Sequence, residues 1–237
     1  MPPAVRLSVV VPAFNEEPTI QAILERVRAV PVVAEIVVVD DRSTDRTAEL
    51  LDRLDWPNLR VLRHTVNQGK GAAIRTGLEA VSGDLVVIQD ADLEYDPREF
   101  TRLMQPILQG RTDVVYGSRF LGRPRKMTFL QWIGNRALTL ATNLLYGAAL
   151  TDMETCYKMM PTAVARSLDL RARRYDVEPE ITAKLLRAGH RIVEVPISYH
   201  GRDEQAGKKI RWTDGLPALA TLLRLRAGPT ASRTDRG

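Results

Sequence analysis

The chain is 237 residues long, 44% hydrophobic and 27% charged, with a formal net charge of +5. That length suits one large domain with a sizeable core, and the composition excludes a disordered or fibrous chain. Basic residues spread along the chain, not gathered in one arm, favour phosphates or acidic lipids as anionic partners over nucleic acid. Cys156 is the only cysteine, which excludes an intramolecular disulfide and a thiolate zinc cluster and points to a reducing interior. It reads as a small buried residue, not a nucleophile. The first residues lack a charged segment followed by a long apolar core, so the expected location is the cytoplasm.

Residues 5–11, apolar apart from Arg6 and Ser8 and ending at Pro12, predict a buried strand. Ile20, Ile23, Leu24 and Val27 share one face of a helix predicted over 17–30. A second buried strand, 35–39, ends at Asp40-Asp41, after which Ser43 or Thr44 is placed to cap a helix over 45–54. A strand over 59–62, a helix over 71–81, a strand over 85–88, a helix over 97–109 opened by Pro97 and a strand over 113–116 continue the alternation. Apolar strands alternating with amphipathic helices predict an α/β, doubly wound, mostly parallel sheet covered on both faces.

After Gly117 the pattern changes. A basic linker, Arg123-Pro124-Arg125-Lys126, precedes a helical region reaching about residue 150. A helix over 177–188, a strand over 191–196 and an amphipathic helix over 213–226 follow, and the polar tail 228–237 is expected to be disordered. A membrane-spanning helix needs about 20 apolar residues. Arg136 interrupts the best candidate at a cost of roughly 2.5 to 3.5 kcal/mol in mid-bilayer, so no span is expected. Leu216, Leu219, Leu222, Leu223 and Leu225, with Arg224 and Arg226 beside them, suit a basic helix lying in a membrane interface, or equally a helix packed on a core.

Strand ends carry the chemistry. Asp90-Ala91-Asp92, with Glu94 two residues on, follows a short apolar strand, and open parallel sheets bind ligands beyond the carboxyl ends of their strands. Carboxylates there suit a hard cation such as Mg²⁺ or Mn²⁺. Without one, each carboxylate about 4 Å from a diphosphate charge would repel it by roughly 4 kcal/mol at an effective dielectric near 20. Taken alone, an Asp-x-Asp is also an ordinary turn or cap. Two further strand ends, Pro12-Ala13-Phe14-Asn15-Glu16 and Asp40-Asp41-Arg42-Ser43-Thr44-Asp45, add to it.

In this order the three motifs resemble the nucleotide-sugar domain of inverting family-2 glycosyltransferases, which have the GT-A fold. Asn67-Gln68-Gly69-Lys70-Gly71-Ala72-Ala73, Gly117-Ser118-Arg119, Asp152-Met153-Glu154-Thr155-Cys156-Tyr157-Lys158, and Arg202 with Gly207-Lys208-Lys209 extend the resemblance. Within the family the chain is most similar to the branch of dolichol-phosphate mannose synthase and bacterial polyprenyl-phosphate glycosyltransferases. The resemblance implies one domain over 1–227, with a nucleotide-sugar half (1–117) and an acceptor half of C-terminal helices (118–227).

It also implies roles. Pro12, Phe14, Glu16, Asp40 and Asp41 would form the nucleoside pocket. Lys70, at a helix start whose amides also favour anions, would approach the donor phosphates, as would Arg202, Lys208 and Lys209. Asp90, Asp92 and Glu94 would hold Mg²⁺ or Mn²⁺, with Ala91 between them. Arg119 and Arg136 are candidates for an acceptor phosphate, since guanidinium forks match phosphate oxygens. His64, His190 and His200 lie outside these motifs and receive no role.

The implied activity is metal-dependent transfer of a hexose from a GDP- or UDP-sugar to polyprenyl phosphate, at the membrane peripherally or through a membrane partner subunit. A phosphate monoester is largely dianionic at neutral pH and attacks without a base. A hydroxylated small molecule, glycan or protein as acceptor would need one, with Asp152 first and Glu154 second. A non-catalytic nucleotide-binding subunit is the alternative from another class.

Overall fold

The computed structural model describes residues 5–122, 124–202 and 215–228. The elements run β1 (Leu7–Ala13), α1 (Ile20–Arg28), β2 (Val33–Asp40), α2 (Thr47–Asp52), β3 (Leu59–Arg63), α3 (Lys70–Ala80) and β4 (Leu85–Ile88). A 3-10 turn (Pro97–Glu99) leads into α4 (Phe100–Leu108), then β5 (Val114–Ser118), β6 (Pro124–Arg125) and α5 (Phe129–Tyr146). The remainder is β7 (Lys158–Pro161), α6 (Thr162–Ser167), α7 (Val177–Arg187), β8 (Ile192–Pro196), β9 (Tyr199–His200) and α8 (Gly215–Ala227).

Seven strands form one sheet in the order β3-β2-β1-β4-β7-β5-β8, while β6 and β9 pair separately. All pairings are parallel except those of β7, which runs antiparallel between β4 and β5. This mixed, mostly parallel sheet with flanking helices bears out the α/β expectation. The central β7 was not expected from sequence: four residues that open on a lysine and close on a proline carry no alternation to read. The chain winds outward from β1 to β3, then returns to place β4 on the other side of β1. Ligand crevices form at such a reversal of strand order.

The register sets the crevice walls. Ala13 pairs with Asp40, so β1 and β2 end level. Val10 pairs with Ile88, and Gln89 N donates to Val10 O at 2.9 Å, so the chain leaves β4 beside the last residues of β1. Burial follows the helical period, with Ile20, Ile23, Leu24 and Val27 all at 0% exposure beneath α1. The α2 cap differs from expectation. Asp45 Oδ1 accepts from Thr47 N at 2.9 Å, because Ser43 and Thr44 are already bonded to Asn15.

In the second half, α5 opens with a capping box between Thr128 and Gln131 and ends at Gly147, whose φ of 66° supplies the left-handed residue that terminates it. The helix therefore stops four residues before Thr151. A small core of Leu150, Met153, Ala183 and Leu222 joins α5, α7 and α8. Arg187 closes the end of α8 by donating to the carbonyls of Leu225 and Gly228. Among the described residues no helix is long and apolar enough to cross a membrane. Apart from Gly228, the expected disordered tail lies outside the described residues.

Small residues let α3 approach the sheet closely. A Cβ on Gly77 would lie 2.4 Å from Val10 Cγ1 in the middle of β1. Gly77→Ala sets a helix-propensity gain of about 1 kcal/mol against overpacking of about 1 to 3 kcal/mol. We expect net destabilisation, read as a lower thermal midpoint; a raised midpoint would refute this packing.

Candidate active site

Each of the three strand-end loops contains a non-glycine residue in the left-handed region: Asn15 (φ 51°), Arg42 (φ 64°) and Leu93 (φ 63°). Each costs of order 1 to 3 kcal/mol and persists only where surrounding bonds determine the backbone. Those bonds are present between the first two loops. Asn15 N donates to Ser43 Oγ at 3.0 Å, Thr44 N to Asn15 Oδ1 at 2.7 Å, and Glu16 N to Thr47 Oγ1 at 2.8 Å.

The paired aspartates after β2 serve these loops. Asp40 Oδ1 accepts from Ser43 N at 3.0 Å. Asp41 Oδ1 meets His64 Nδ1 at 2.6 Å and Gln68 N at 2.8 Å, while Oδ2 accepts from Gly69 N at 2.7 Å. Both are 2% exposed. Besides any contact with a nucleoside, Asp41 shapes the turn that leads to Lys70. Pro12 and Phe14 remain partly exposed beside them, and Glu16 is buried. His64, given no role from sequence, is the missed member. It follows β3 as Asp41 follows β2, and its other nitrogen meets Thr76 Oγ1 at 2.9 Å. An ionisable residue directly after a strand at the same sheet edge was the available signal.

Lys70 is the first residue of α3, behind Gly69. The amides expected to favour an anion are engaged within the chain: Gly71 N and Ala72 N donate to Arg173 O at 2.9 and 3.3 Å. The Lys70 side chain lies 2.8 Å from Asp90 Oδ1 and 3.2 Å from Glu178 Oε1, the latter an ion pair without hydrogen-bond geometry. Burial alone would lower the Lys70 pKa, but Asp90 and Glu178 outweigh it and hold it well above the ordinary lysine value. Glu178 also pairs with Lys158, whose side chain is wholly buried. Nothing local in the sequence separates Glu178 from an ordinary acidic residue in a first helical turn.

At the end of β4, Asp90 and Asp92 side chains keep 22% and 20% exposure, while Ala91 is buried. Glu94 departs from its expected place as a third metal ligand. Its Oε2 accepts from Tyr199 Oη at 2.7 Å and its Oε1 from Arg202 N at 2.8 Å, so it anchors β9. Among the described residues no group of three or more His, Cys, Asp or Glu side chains is placed to hold a metal. Two carboxylates remain, a donor set that fits a hard cation taking its other ligands from water and phosphate. Arg202 Nη2 reaches Glu16 at 3.1 Å and Asp92 at 3.3 Å. Lys208 and Lys209 lie outside the described residues.

Arg119 forms a two-pronged pair with Asp152, Nε to Oδ2 and Nη2 to Oδ1, both at 2.7 Å. Asp152, fully buried, also accepts from Arg119 N at 2.9 Å. In this geometry Asp152 holds Arg119 in place, with its carboxylate buried beneath the guanidinium. Arg136 is exposed and reaches towards Thr151 O at 3.5 Å. Both guanidinium groups lie over the Phe120 ring, at 5.9 and 5.6 Å, so the structure brings together two arginines separated in sequence.

Glu154 is half-buried, and its Oε1 is sealed from solvent without a hydrogen-bond partner. Burial, reinforced by Glu178 and Asp152 and partly offset by Lys158 and Arg119, pushes its pKa up to about 7.

The fold, with carboxylates and bases at its strand-end crevice, is that of a GT-A glycosyltransferase. Glucosyl-3-phosphoglycerate synthase from Mycobacterium tuberculosis, solved with Mn²⁺, UDP and glucosyl-3-phosphoglycerate, superposes with a TM-score of 0.72 at 25% identity over 96% of this chain and 82% of that one. Residues 8–161 match glycosyl transferase family 2, and the chain belongs to that family. It is 30% identical to undecaprenyl-phosphate mannosyltransferase of Micrococcus luteus, covering 84% of this chain and 85% of the relative. It is 28% identical to polyprenol monophosphomannose synthase of Mycolicibacterium smegmatis, covering 88% and 84%. The reading as a non-catalytic subunit is thereby set aside.

Because the folded pKa of Glu154 lies above its ordinary value of 4.5, the native state holds the extra proton between pH 4.5 and about 7, and stability falls as pH rises through that window. Glu154→Gln should remove this dependence. Denaturant melts should show the variant gaining on the wild type by roughly 3 kcal/mol between acid and neutral pH; a gap independent of pH would contradict the burial of a protonated carboxyl.

Proposed function

We propose that this glycosyltransferase is metal-dependent and moves a hexose, with inversion, from a GDP- or UDP-sugar to polyprenyl phosphate at the cytoplasmic face of a membrane. The observation carrying the acceptor half is the convergence of Arg119 and Arg136 on Phe120, with Arg136 on the same helix as a set of exposed apolar residues. Helices α5 and α8 contain no acidic residue, and Phe129, Leu130, Trp132, Ile133, Leu140 and Leu144 of α5 stand exposed. Such a face suits acyl chains and anionic headgroups. Contact is peripheral or through a membrane partner subunit. The relatives named for undecaprenyl phosphate and polyprenol support the same acceptor class.

The chemistry needs little from the protein beyond placement and charge. An oxygen of the acceptor phosphate forms a bond to the anomeric carbon as the bond from that carbon to the donor diphosphate breaks, and the electron pair leaves with the nucleoside diphosphate. Arg119, held by Asp152, and Arg136 orient the attacking phosphate. Pro12, Phe14 and Glu16 line the nucleoside side, and Lys70 and Arg202 face the diphosphate. Asp90 and Asp92 would hold a divalent cation, which when bound would neutralise the leaving charge.

One observation favours a hydroxyl acceptor as the second reading. Glu154 is half-buried with its pKa pushed up to about 7, a value suited to accepting a proton, whereas Asp152 is paired with Arg119. The M. tuberculosis synthase solved with phosphoglyceric acid and UDP-glucose lends it support.

A panel of GDP- and UDP-sugars with Mg²⁺ or Mn²⁺, each with and without polyprenyl phosphate, tests the proposal directly. Asp92→Asn is expected to lower transfer by about 100-fold or more with the fold intact; unchanged turnover would sink the site. Glu154→Gln separates the acceptors. Near-normal transfer to polyprenyl phosphate is expected, whereas a loss of about 100-fold or more on the preferred acceptor would establish a hydroxyl nucleophile.

A further inference from the structure

Arg202 spans the crevice in which the donor is proposed to bind. Its Nη2 lies 3.1 and 3.2 Å from the two carboxylate oxygens of Glu16, just beyond β1, and 3.3 Å from Asp92 Oδ2, just beyond β4. Its backbone N–H is fixed on Glu94 at 2.8 Å, so the residue is anchored while its side chain reaches across. The side chains of Arg202 and Glu16 are only 18% and 8% exposed, so solvent screens their pairing weakly. Lys70 stands on Asp90 in the same way, but Glu178 holds it from the other side. Of the two cations, Arg202 is the one whose side-chain ion pairs among the described residues are with Glu16 and Asp92 of the crevice walls.

From this we infer that Arg202 is a built-in counter-ion: in the ligand-free enzyme its guanidinium neutralises Asp92 and Glu16, and it yields Asp92 to a divalent cation only when a nucleoside diphosphate offers its own oxygens to the guanidinium. The inference rests on the donor-site reading above. A guanidinium on Asp92 and a divalent cation on the same carboxylate repel each other. A diphosphate removes that conflict, since its oxygens accept a guanidinium fork as a carboxylate does. Metal and nucleotide affinities are therefore coupled through one side chain, and the coupling acts equally in both directions. Glu16 gains a second role, retaining Arg202 beside the nucleoside when Asp92 is given up.

The test is Mn²⁺ binding to the full chain, followed by the electron paramagnetic resonance of free Mn²⁺, alone and with saturating UDP or GDP in separate arms. Wild-type protein should bind Mn²⁺ weakly alone and about 10-fold or more tightly with the matching nucleotide, within the usual range of such couplings. Arg202→Gln should tighten binding of Mn²⁺ alone by about 5-fold and reduce the coupling to about 2-fold or less. Arg202→Lys, which keeps the charge, should retain weak binding of Mn²⁺ alone and guards against a fold defect in the first variant. Unchanged or weaker Mn²⁺ binding by a folded Arg202→Gln, with coupling preserved, would overturn the exchange and leave the donor site standing. Failure of wild-type protein to bind Mn²⁺ with either nucleotide would overturn the donor-site reading and this inference with it.

Discussion

Glu16, Asp90, Asp92 and Glu94 stand at one edge of one sheet, where carboxylates in a partly dry site repel one another by several kcal/mol at contact distances. The surrounding structure answers that repulsion. Lys70 is placed on Asp90, Arg202 lies between Glu16 and Asp92, and Tyr199 and the Arg202 amide take up Glu94. Left-handed backbone at Asn15, Arg42 and Leu93 turns the three loops; bonds of Asn15 to Ser43 and Thr44 join the first two, and Asp92 accepts from Glu94 N beside Leu93 in the third. Each of these carboxylates is thus met by a cation or a hydrogen-bond donor of the protein itself.

A second electrostatic unit, deeper in the fold, fixes Arg119, proposed above to meet the acceptor. Glu194 of β8 accepts from the backbone of Thr151 and Asp152, fixing the segment that presents Asp152 to Arg119. Arg119 is thereby held by both prongs on a buried carboxylate, an arrangement that is costly to break because the surviving charge would be stranded. Phe120 relates this rigid arginine to the exposed Arg136, so one fixed and one adaptable cation share a ring. Glu154 feels charges of both units, Glu178 and Lys158 on one side and Arg119 and Asp152 on the other, and its pKa is pushed up to about 7.

Much of the frame was legible in the chain because its signals are local. An apolar run that stops at a charged residue marks both a strand and its end, and covalent adjacency guarantees that Asp40, Asp41, Asp90 and Asp92 lie at the sheet edge. The short β7 was not legible, since four residues surrounded by other strands need no periodicity of their own. Roles were less legible than positions. Asp41, Glu94 and Asp152 were read as ligand-facing groups from their residue type. The structure shows them bonded to His64, Tyr199 and Arg119, partners that sequence distance conceals.

By itself, then, the sequence determined the α/β alternation, the family and the set of charged residues delivered to one edge, because each depends on residues adjacent along the chain. Which of those charges face outward and which are spent within the protein was decided by tertiary structure alone. The physical reason is that a carboxylate is satisfied by whichever donor folding brings within about 3 Å. For Asp90, Asp92 and Glu16 the cations that meet them come from α3 and from the segment after β9, neither of which is near them in the chain.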